Sequence, residues 1–240
     1  VILYYHAGYM VFLKINNLNV LYEDNHIIVV EKKPNILSQG DITGDKELLT
    51  MVKEYVKEKY KKEGNVYIGL VHRLDRPVGG IMVFAKTSKA ASRLSDQIRT
   101  NSFKKVYSAI IVNSNLPSSS TLTDYLLKNT KTNTVTCVKE NTKDSKKAVL
   151  HYRVLSKIND LTLVKIQLET GRSHQIRVQF SSRNAPLWGD QRYNKDAKPG
   201  QQIALWASSL TILHPTSKEE MTFTSEMPSS YPWNIFKGEK

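Results

Sequence analysis

Val71-His72-Arg73-Leu74-Asp75-Arg76-Pro77-Val78-Gly79-Gly80-Ile81-Met82-Val83-Phe84-Ala85-Lys86 is the stretch on which the reading of this chain turns. One carboxylate, Asp75, stands between two guanidinium groups, Arg73 and Arg76. Neighbouring positive charge favours the ionised acid. A carboxylate held that way donates protons poorly at neutral pH, but it serves as a nucleophile or as an anchor for a cation. Pro77 fixes φ and removes a backbone donor, while Gly79-Gly80 permit backbone angles or close approaches that a Cβ forbids. Ile81 to Ala85 is apolar throughout and predicts a buried strand. A charged loop is thereby pinned to the start of a core strand, a common position for a functional site. The competing reading is a surface turn with a salt bridge. Composition alone favours it, because surface pairs are usually structural or idle.

The whole-chain figures narrow the partners. A chain of 240 residues forms one large domain or two small ones and buries a sizeable core. Apolar residues make up 40% and charged residues 24%, which places it with ordinary globular proteins rather than disordered or membrane chains. Lys and Arg outnumber Asp and Glu by 35 to 22, so the net charge is +13 and the pI about 9.6. That balance favours a polyanionic partner, either nucleic acid or an anionic membrane surface. No apolar run reaches the length of a membrane span. The single Cys137 rules out an intramolecular disulfide and suits a reducing, cytoplasmic setting. It falls in a Thr/Val-rich run and reads as a small packed residue. Val1 to Tyr9 lacks the basic segment of a signal peptide and precedes Met10, so it is read as sequence ahead of the native start.

Local patterns predict an α+β protein with a largely antiparallel sheet. Leu18 to Lys32 reads as strand, turn, strand, broken by Lys33-Pro34-Asn35, and Asn35 to Lys46 reads as loop. Glu47 to Lys62 predicts a helix with Leu48, Leu49, Val52, Tyr55, Val56 and Tyr60 on one side. Val66 to Val71 predicts a strand leading into the Asp75 loop. Ser88 is the expected N-cap of the next helix. Lys104 to Val112 predicts a strand with Lys105 and Tyr107 on one face. Asn113 to Ser120 is a turn region. Thr121 to Leu127, Asn133 to Val138, Lys146 to Lys157 and Leu161 to Leu168 alternate as antiparallel strands, with Lys139 to Lys147 a polar tip. A turn at Glu169 to Ser173 enters a helix over 173–183. Free amides at such a start attract anions, and Arg172, His174 and Arg177 stand near it. On composition that is equally a basic helix end on a basic protein. Ala204 to Leu213 and Met221 to Phe223 predict closing strands. P-loops and dinucleotide fingerprints are absent, and the six histidines are too scattered to predict a zinc site.

The wording of five segments carries a sharper reading. His72-Arg73-Leu74-Asp75-Arg76-Pro77, the small pair after it and the apolar strand closely resemble the signature of the RluA-type pseudouridine synthases, which isomerise uridine in RNA. Val20 to Val30 with Lys33-Pro34 resembles the first motif of that family. Lys105-Val106-Tyr107-Ser108-Ala109 resembles its Lys-x-Tyr-x-Ala segment. Gly171-Arg172-Ser173-His174-Gln175-Ile176-Arg177-Val178, with Gly189-Asp190 and Tyr193, resembles its third motif, and Ala204 to Ala207 with His214-Pro215 its closing strand. The five fall in family order between about residue 20 and residue 215. One departure is visible: Gly79 stands where relatives often carry Ser, which bears on loop stiffness.

The resemblance implies a mixed sheet in two halves with flanking helices and an active cleft across the middle. It implies an extension over residues 1–17 and a single catalytic domain over 18–236, because about twenty residues are too few for the S4 domain that relatives often carry in front. Asp75 maps onto the catalytic aspartate, which attacks the sugar or base, or removes a ribose proton. Arg177 maps onto the arginine that pairs with it, and Tyr107 onto the tyrosine that stacks on uracil and assists proton transfer at C5. Arg73 maps onto the arginine that displaces the target base. His72, Arg76, Lys105, Arg172 and His174 join it as RNA-binding candidates, with His72 alternatively ordering the loop. Structured RNA, ribosomal or transfer, is the implied partner of a monomer. The isomerisation changes no redox state and loses no group, so no cofactor or metal is expected. Rival classes fare worse. A glycosidase needs a second placed carboxylate, for which Asp190 and Glu169 are candidates by spacing. A DNA-binding regulator should show a helix-turn-helix or finger pattern, and none is found. An inactive RNA binder should lack one of Asp75, Tyr107 and Arg177, yet all are present.

Overall fold

The computed structural model describes residues 2–6, 9–13, 18–40, 44–112 and 115–238. Parts of three expected segments lie outside these: residues 1, 7 and 8 of the leading stretch, 41–43 of the first loop, and 113 and 114 of the later turn region. Two compact units are formed, Val1–Ser102 with Ile212–Phe223, and Phe103–Thr211 with Thr224–Lys240. The α+β class with a largely antiparallel sheet is observed. Among the described residues no helix is long and apolar enough to cross a membrane.

In the first unit, β1 (Ile2–His6) and β2 (Tyr9–Leu13) pair with each other as a two-stranded sheet. β3 (Asn19–Glu23) turns into β4 (Ile27–Lys32), because the Asp24 carboxylate accepts from the backbone N–H of both His26 and Ile27. All of Ile27 to Val30 is buried, so this strand has no solvent face and shows no alternation. After α1 (Leu48–Lys59) and the two-residue β5 (Gly69–Leu70), β6 (Gly79–Ala85) runs antiparallel to β4 and is buried at every position. Gly80 sits at φ 117°, a conformation a side chain would strain. α2 (Ser88–Arg99) is capped by Thr87, whose hydroxyl accepts from Ala90 N–H at 3.1 Å. The expected cap, Ser88, is instead the first helical residue. α1 ends three residues short of expectation because Lys61 takes a left-handed φ of 47°. The strand expected over 66–71 is confined to β5.

The second unit orders its strands β12-β7-β11-β10-β8-β9, every neighbour antiparallel: β7 (Lys104–Val112), β8 (Ser119–Asn129), β9 (Thr134–Val138), β10 (Lys146–Ile158), β11 (Leu161–Leu168) and β12 (Leu205–Leu213). A two-residue turn joins β10 to β11, and Asn159 supplies its positive φ of 53°. Asn133 does the same, at φ 50°, between β8 and β9. α3 (Gln175–Ser181) buries Val178 against Leu126, Val135 and Ala148, and Phe180 edge-on to Tyr152. It starts two residues later than expected because His174 is left-handed, at φ 52°. β13 (Glu220–Thr224) falls, but for its last residue, in the first unit. In the second, the turn Trp233–Phe236 closes a core cluster with Ile110, Leu163, Ala204 and Trp206. Cys137 is a free, half-buried thiol on β9.

Charge, as well as apolar burial, joins β3 to its neighbours in the first unit. The Glu23 side chain is 5% exposed and accepts from Lys59 at 2.6 Å, Lys86 at 2.7 Å and Tyr60 at 3.0 Å. Burial pushes its pKa up, but the bonds from Lys59 and Lys86 outweigh that and hold it below the ordinary 4.5. The stabilisation is therefore complete above the unfolded pKa and is lost as pH falls through the lower folded one. Glu23→Gln should cost roughly 1.5–3 kcal/mol at pH 7. Urea unfolding of both proteins at pH 7 and pH 3 should show that difference shrinking in acid.

Candidate active site

The Asp75 loop is held from beneath by β4. Lys32, at the end of that strand, is fully buried, and its ammonium donates to the carbonyls of Ile36 at 2.6 Å, Arg76 at 3.0 Å and Lys33 at 3.2 Å. An ammonium has three N–H donors, so this cage suits the charged form. Burial nevertheless pulls the Lys32 pKa down to about 7, the negative charge of Asp75 pulls it up, and Arg76 pulls it down. The loop is tied at further points. The Leu74 N–H donates to the Ser38 hydroxyl, which donates to the Leu74 carbonyl, and Val78 N–H closes a turn on the Asp75 carbonyl at 3.0 Å. Asn35 N–H donates to the Arg76 carbonyl at 2.8 Å. Asp75 itself is half-buried on this framework.

The arginines flanking Asp75 behave differently from their reading in the sequence. The Arg76 guanidinium reaches Asp45 at 2.6 Å, with both side chains exposed. Arg73 is exposed and makes no hydrogen bond or ion pair among the described residues. Within the first unit, the buried Lys32 ammonium and the Asp75 charge act on each other. His72 accepts the Val83 N–H through Nε2 at 3.0 Å, so its neutral ring carries the proton on Nδ1. That bond occupies an amide of β6 and ties the loop to the strand, which is the ordering role considered for His72.

In the second unit, β7 presents Lys105 and Tyr107 at alternate positions, as the strand periodicity predicts. Tyr107 is 7% exposed and lies opposite Ile166 and Ala207. Lys105 is half-buried, its ammonium over Gly171 and 5.9 Å from the Phe103 ring centre, and burial lowers its pKa. It makes no hydrogen bond or ion pair among the described residues. A cation left this way favours an incoming anion.

The turn into α3 is built by Gln175. Its Oε1 accepts from Arg172 N–H and the Thr170 hydroxyl, and its amide donates to the Val149 carbonyl. Arg172 itself is exposed, with Nε on the Lys147 carbonyl. His174 is buried and shares a 2.7 Å hydrogen bond with the Tyr193 hydroxyl, which also accepts from Val135 N–H. Arg177 is buried and meets Asp190 through two bonds, Nε to Oδ2 at 2.9 Å and Nη2 to Oδ1 at 2.7 Å. Its guanidinium lies 5.2 Å from the Tyr193 ring centre. Asp190 is wholly buried, and Oδ1 also accepts from Arg192 and Tyr193 N–H. It is aimed by Gly189, which sits at φ 70° and where a Cβ would lie only 2.7 Å from the Gln202 carbonyl oxygen. Of the five N–H donors on Arg177, Asp190 takes two. Both oxygens of Asp190 are committed as acceptors, so it is a poor second carboxylate for a hydrolase. Glu169 is exposed beside His151.

One residue and one pairing are not legible in the sequence. Lys32 stands next to Lys33 at the end of an apolar run, and charge alone does not say which lysine is buried. Asp190 was recognised by its place in a motif, but its pairing with Arg177 joins positions thirteen apart through a loop that no periodicity describes.

Known proteins resemble the chain in the same sense. Residues 26–182 match the family described as RNA pseudouridylate synthase. The ribosomal large subunit pseudouridine synthase D of Buchnera aphidicola is 32% identical over 228 residues, covering 88% of this chain and 69% of that protein. The uncharacterized RNA pseudouridine synthase YjbO of Bacillus subtilis is 32% identical, covering 92% and 76%. Among solved structures, human RNA pseudouridylate synthase domain containing 4 superposes with a TM-score of 0.73 over 88% of each chain; at 22% identity it bears on the fold.

Two outcomes are expected from the buried charges. Asp190→Asn leaves the Arg177 guanidinium without its counterion and should cost about 3–5 kcal/mol in urea unfolding. Lys32 gives a pH signature. The unfolded chain keeps its proton up to its ordinary pKa of 10.5, whereas the folded protein releases it near 7. The unfolded state thus binds more protons between these values, and this residue makes stability rise with pH across that window. The unfolding free energy of the wild type relative to Lys32→Met should climb between pH 7 and pH 10.

Proposed function

The chain belongs to the RluA-type family of RNA pseudouridine synthases, which are isomerases, and on that premise we propose that it converts specific uridines of ribosomal RNA or tRNA to pseudouridine in the cytoplasm, with Asp75 as the catalytic carboxylate. The observation that carries the reading is the hold on Asp75. Its neighbours on both sides are fixed through their backbone, by Ser38 at Leu74 and by Lys32 at Arg76, while its own side chain stays half-exposed. A carboxylate on so constrained a loop is positioned before substrate arrives, which is where much of the rate of an orientation-dependent reaction originates.

The chemistry breaks the bond from ribose C1′ to uracil N1 and makes one from C1′ to C5; C5 gives up its proton and N1 gains one. Asp75 serves as nucleophile, or as base toward the ribose. Tyr107 supplies a ring for stacking and a hydroxyl for the proton at C5, and Arg177 the countercharge for Asp75. Arg73, exposed and without a protein partner among the described residues, fits displacement of the base from its stack, a step that costs a few kcal/mol. Lys105, with no anionic partner among the described residues, fits a phosphate. The names of relatives such as the Buchnera protein support ribosomal RNA as the substrate.

Asp75→Asn should abolish tritium release from RNA carrying 5-³H-uridine while RNA affinity survives. Release near the wild-type rate would remove Asp75 from the reaction. Tyr107→Phe keeps the ring and should bind RNA normally while turning over roughly 100-fold or more slowly in single-turnover assays. A normally fast Phe enzyme would leave Tyr107 as a stacking platform.

A further inference from the structure

The first unit has a groove of about 670 Å³ lined by Lys53, Glu54 and Lys57 of α1 and by Gly64 to Ile68. Lys53 and Lys57 are one helical turn apart, so their side chains share a face. Neither ammonium makes a hydrogen bond or ion pair among the described residues. Glu54, the acid in the wall, is neutralised by Lys46 at 2.5 Å. Opposite them Tyr67 is 51% exposed, and its hydroxyl has no hydrogen-bond partner among the described residues. Asn65, Val66 and Tyr67 belong to no helix or strand, and their backbone groups bond to no other described residue. A large aromatic face and open backbone donors and acceptors therefore meet two uncompensated lysines.

We propose that this groove binds a single-stranded segment of the substrate RNA outside the target uridine, with one base stacked on Tyr67 and phosphates at Lys53 and Lys57. Each component answers to one feature of single-stranded RNA. The ring offers a stacking platform indifferent to base identity, the lysines meet the backbone, and the open amides and carbonyls of Asn65 and Val66 can pair with base edges. An acidic peptide would also satisfy the lysines, but it has no use for an exposed tyrosine ring. The segment continues through β5 into the loop that carries Asp75, eight residues after Tyr67. The inference rests on the reading of the chain as an RNA enzyme.

The test uses the full chain and a fluorescein-labelled 12-nucleotide oligouridylate containing one 4-thiouridine. Photocrosslinking followed by peptide mass spectrometry should place an adduct at Tyr67 or its neighbours, in the wild type and in Asp75→Asn alike. Tyr67→Ala should weaken binding about tenfold in anisotropy, and Tyr67→Phe should bind like the wild type. Lys53→Ala with Lys57→Ala should lower the slope of log affinity against log salt by about 1.4, two contacts' worth for a single strand. All three altered residues line the groove, and unchanged melting temperatures would exclude misfolding. Adducts confined to other peptides, with unchanged affinity in Tyr67→Ala and in the double lysine variant, would overturn the proposal. So would displacement of the fluorescent RNA from the groove by a 12-residue polyglutamate at equal concentration. Failure of the wider reading has a separate signature, namely tritium release by Asp75→Asn, which the groove variants do not influence.

Discussion

A lysine ammonium removed from water must find acceptors, and Lys32 finds them in the backbone of two loops at once. Its stem lies at the end of β4, and its head gathers the carbonyls of Ile36 and Arg76. The chain on either side of the Asp75 loop can take another path only by leaving that charge unsolvated, which costs several kcal/mol. The position of Asp75 therefore follows from a polar constraint set inside an apolar strand pair. Its anion in turn helps keep Lys32 protonated against the pull of burial.

The second unit solves the same problem with a different pair. Arg177 and Asp190 are both buried, and the planar fork of one matches the two oxygens of the other. A short helix of seven residues positions the arginine, and a left-handed glycine positions the acid. Tyr193 binds the assembly together by lying against the guanidinium and bonding His174. His174 thus has a structural engagement in addition to any contact with RNA.

Much of this was visible in the amino-acid order. The unbroken apolar runs of β4 and β6 and the alternation of β10 and β11 are the direct imprint of burial on two faces or on one, so those strands were legible. What stayed hidden was local backbone choice. Thr87 and Ser88 are equally good caps by type, and only the observed turn puts the threonine hydroxyl over the Ala90 amide. His174 has no compositional reason to be left-handed; its hydrogen bond to Tyr193, nineteen residues away, accompanies that conformation. Of the charged loop, the sequence assigned Asp75 two arginine neighbours, whereas Arg76 turns to Asp45 and a buried lysine from forty-three positions earlier is coupled to the Asp75 charge. Charge order along a chain says little about charge order in space once the side chains are long.

The asparagines that close the hairpins have an effect outside the folded state. Among the described residues, six of the ten non-glycine positions with positive φ are asparagine, Asn133 and Asn159 among them. Glycine would adopt those angles with less strain, yet it would also give the denatured chain more conformations to lose on folding. By using a residue that tolerates the left-handed region without roaming freely outside it, the chain keeps its disordered ensemble narrower. Part of the resistance of these hairpins to unfolding is then stored in the state that has no structure at all.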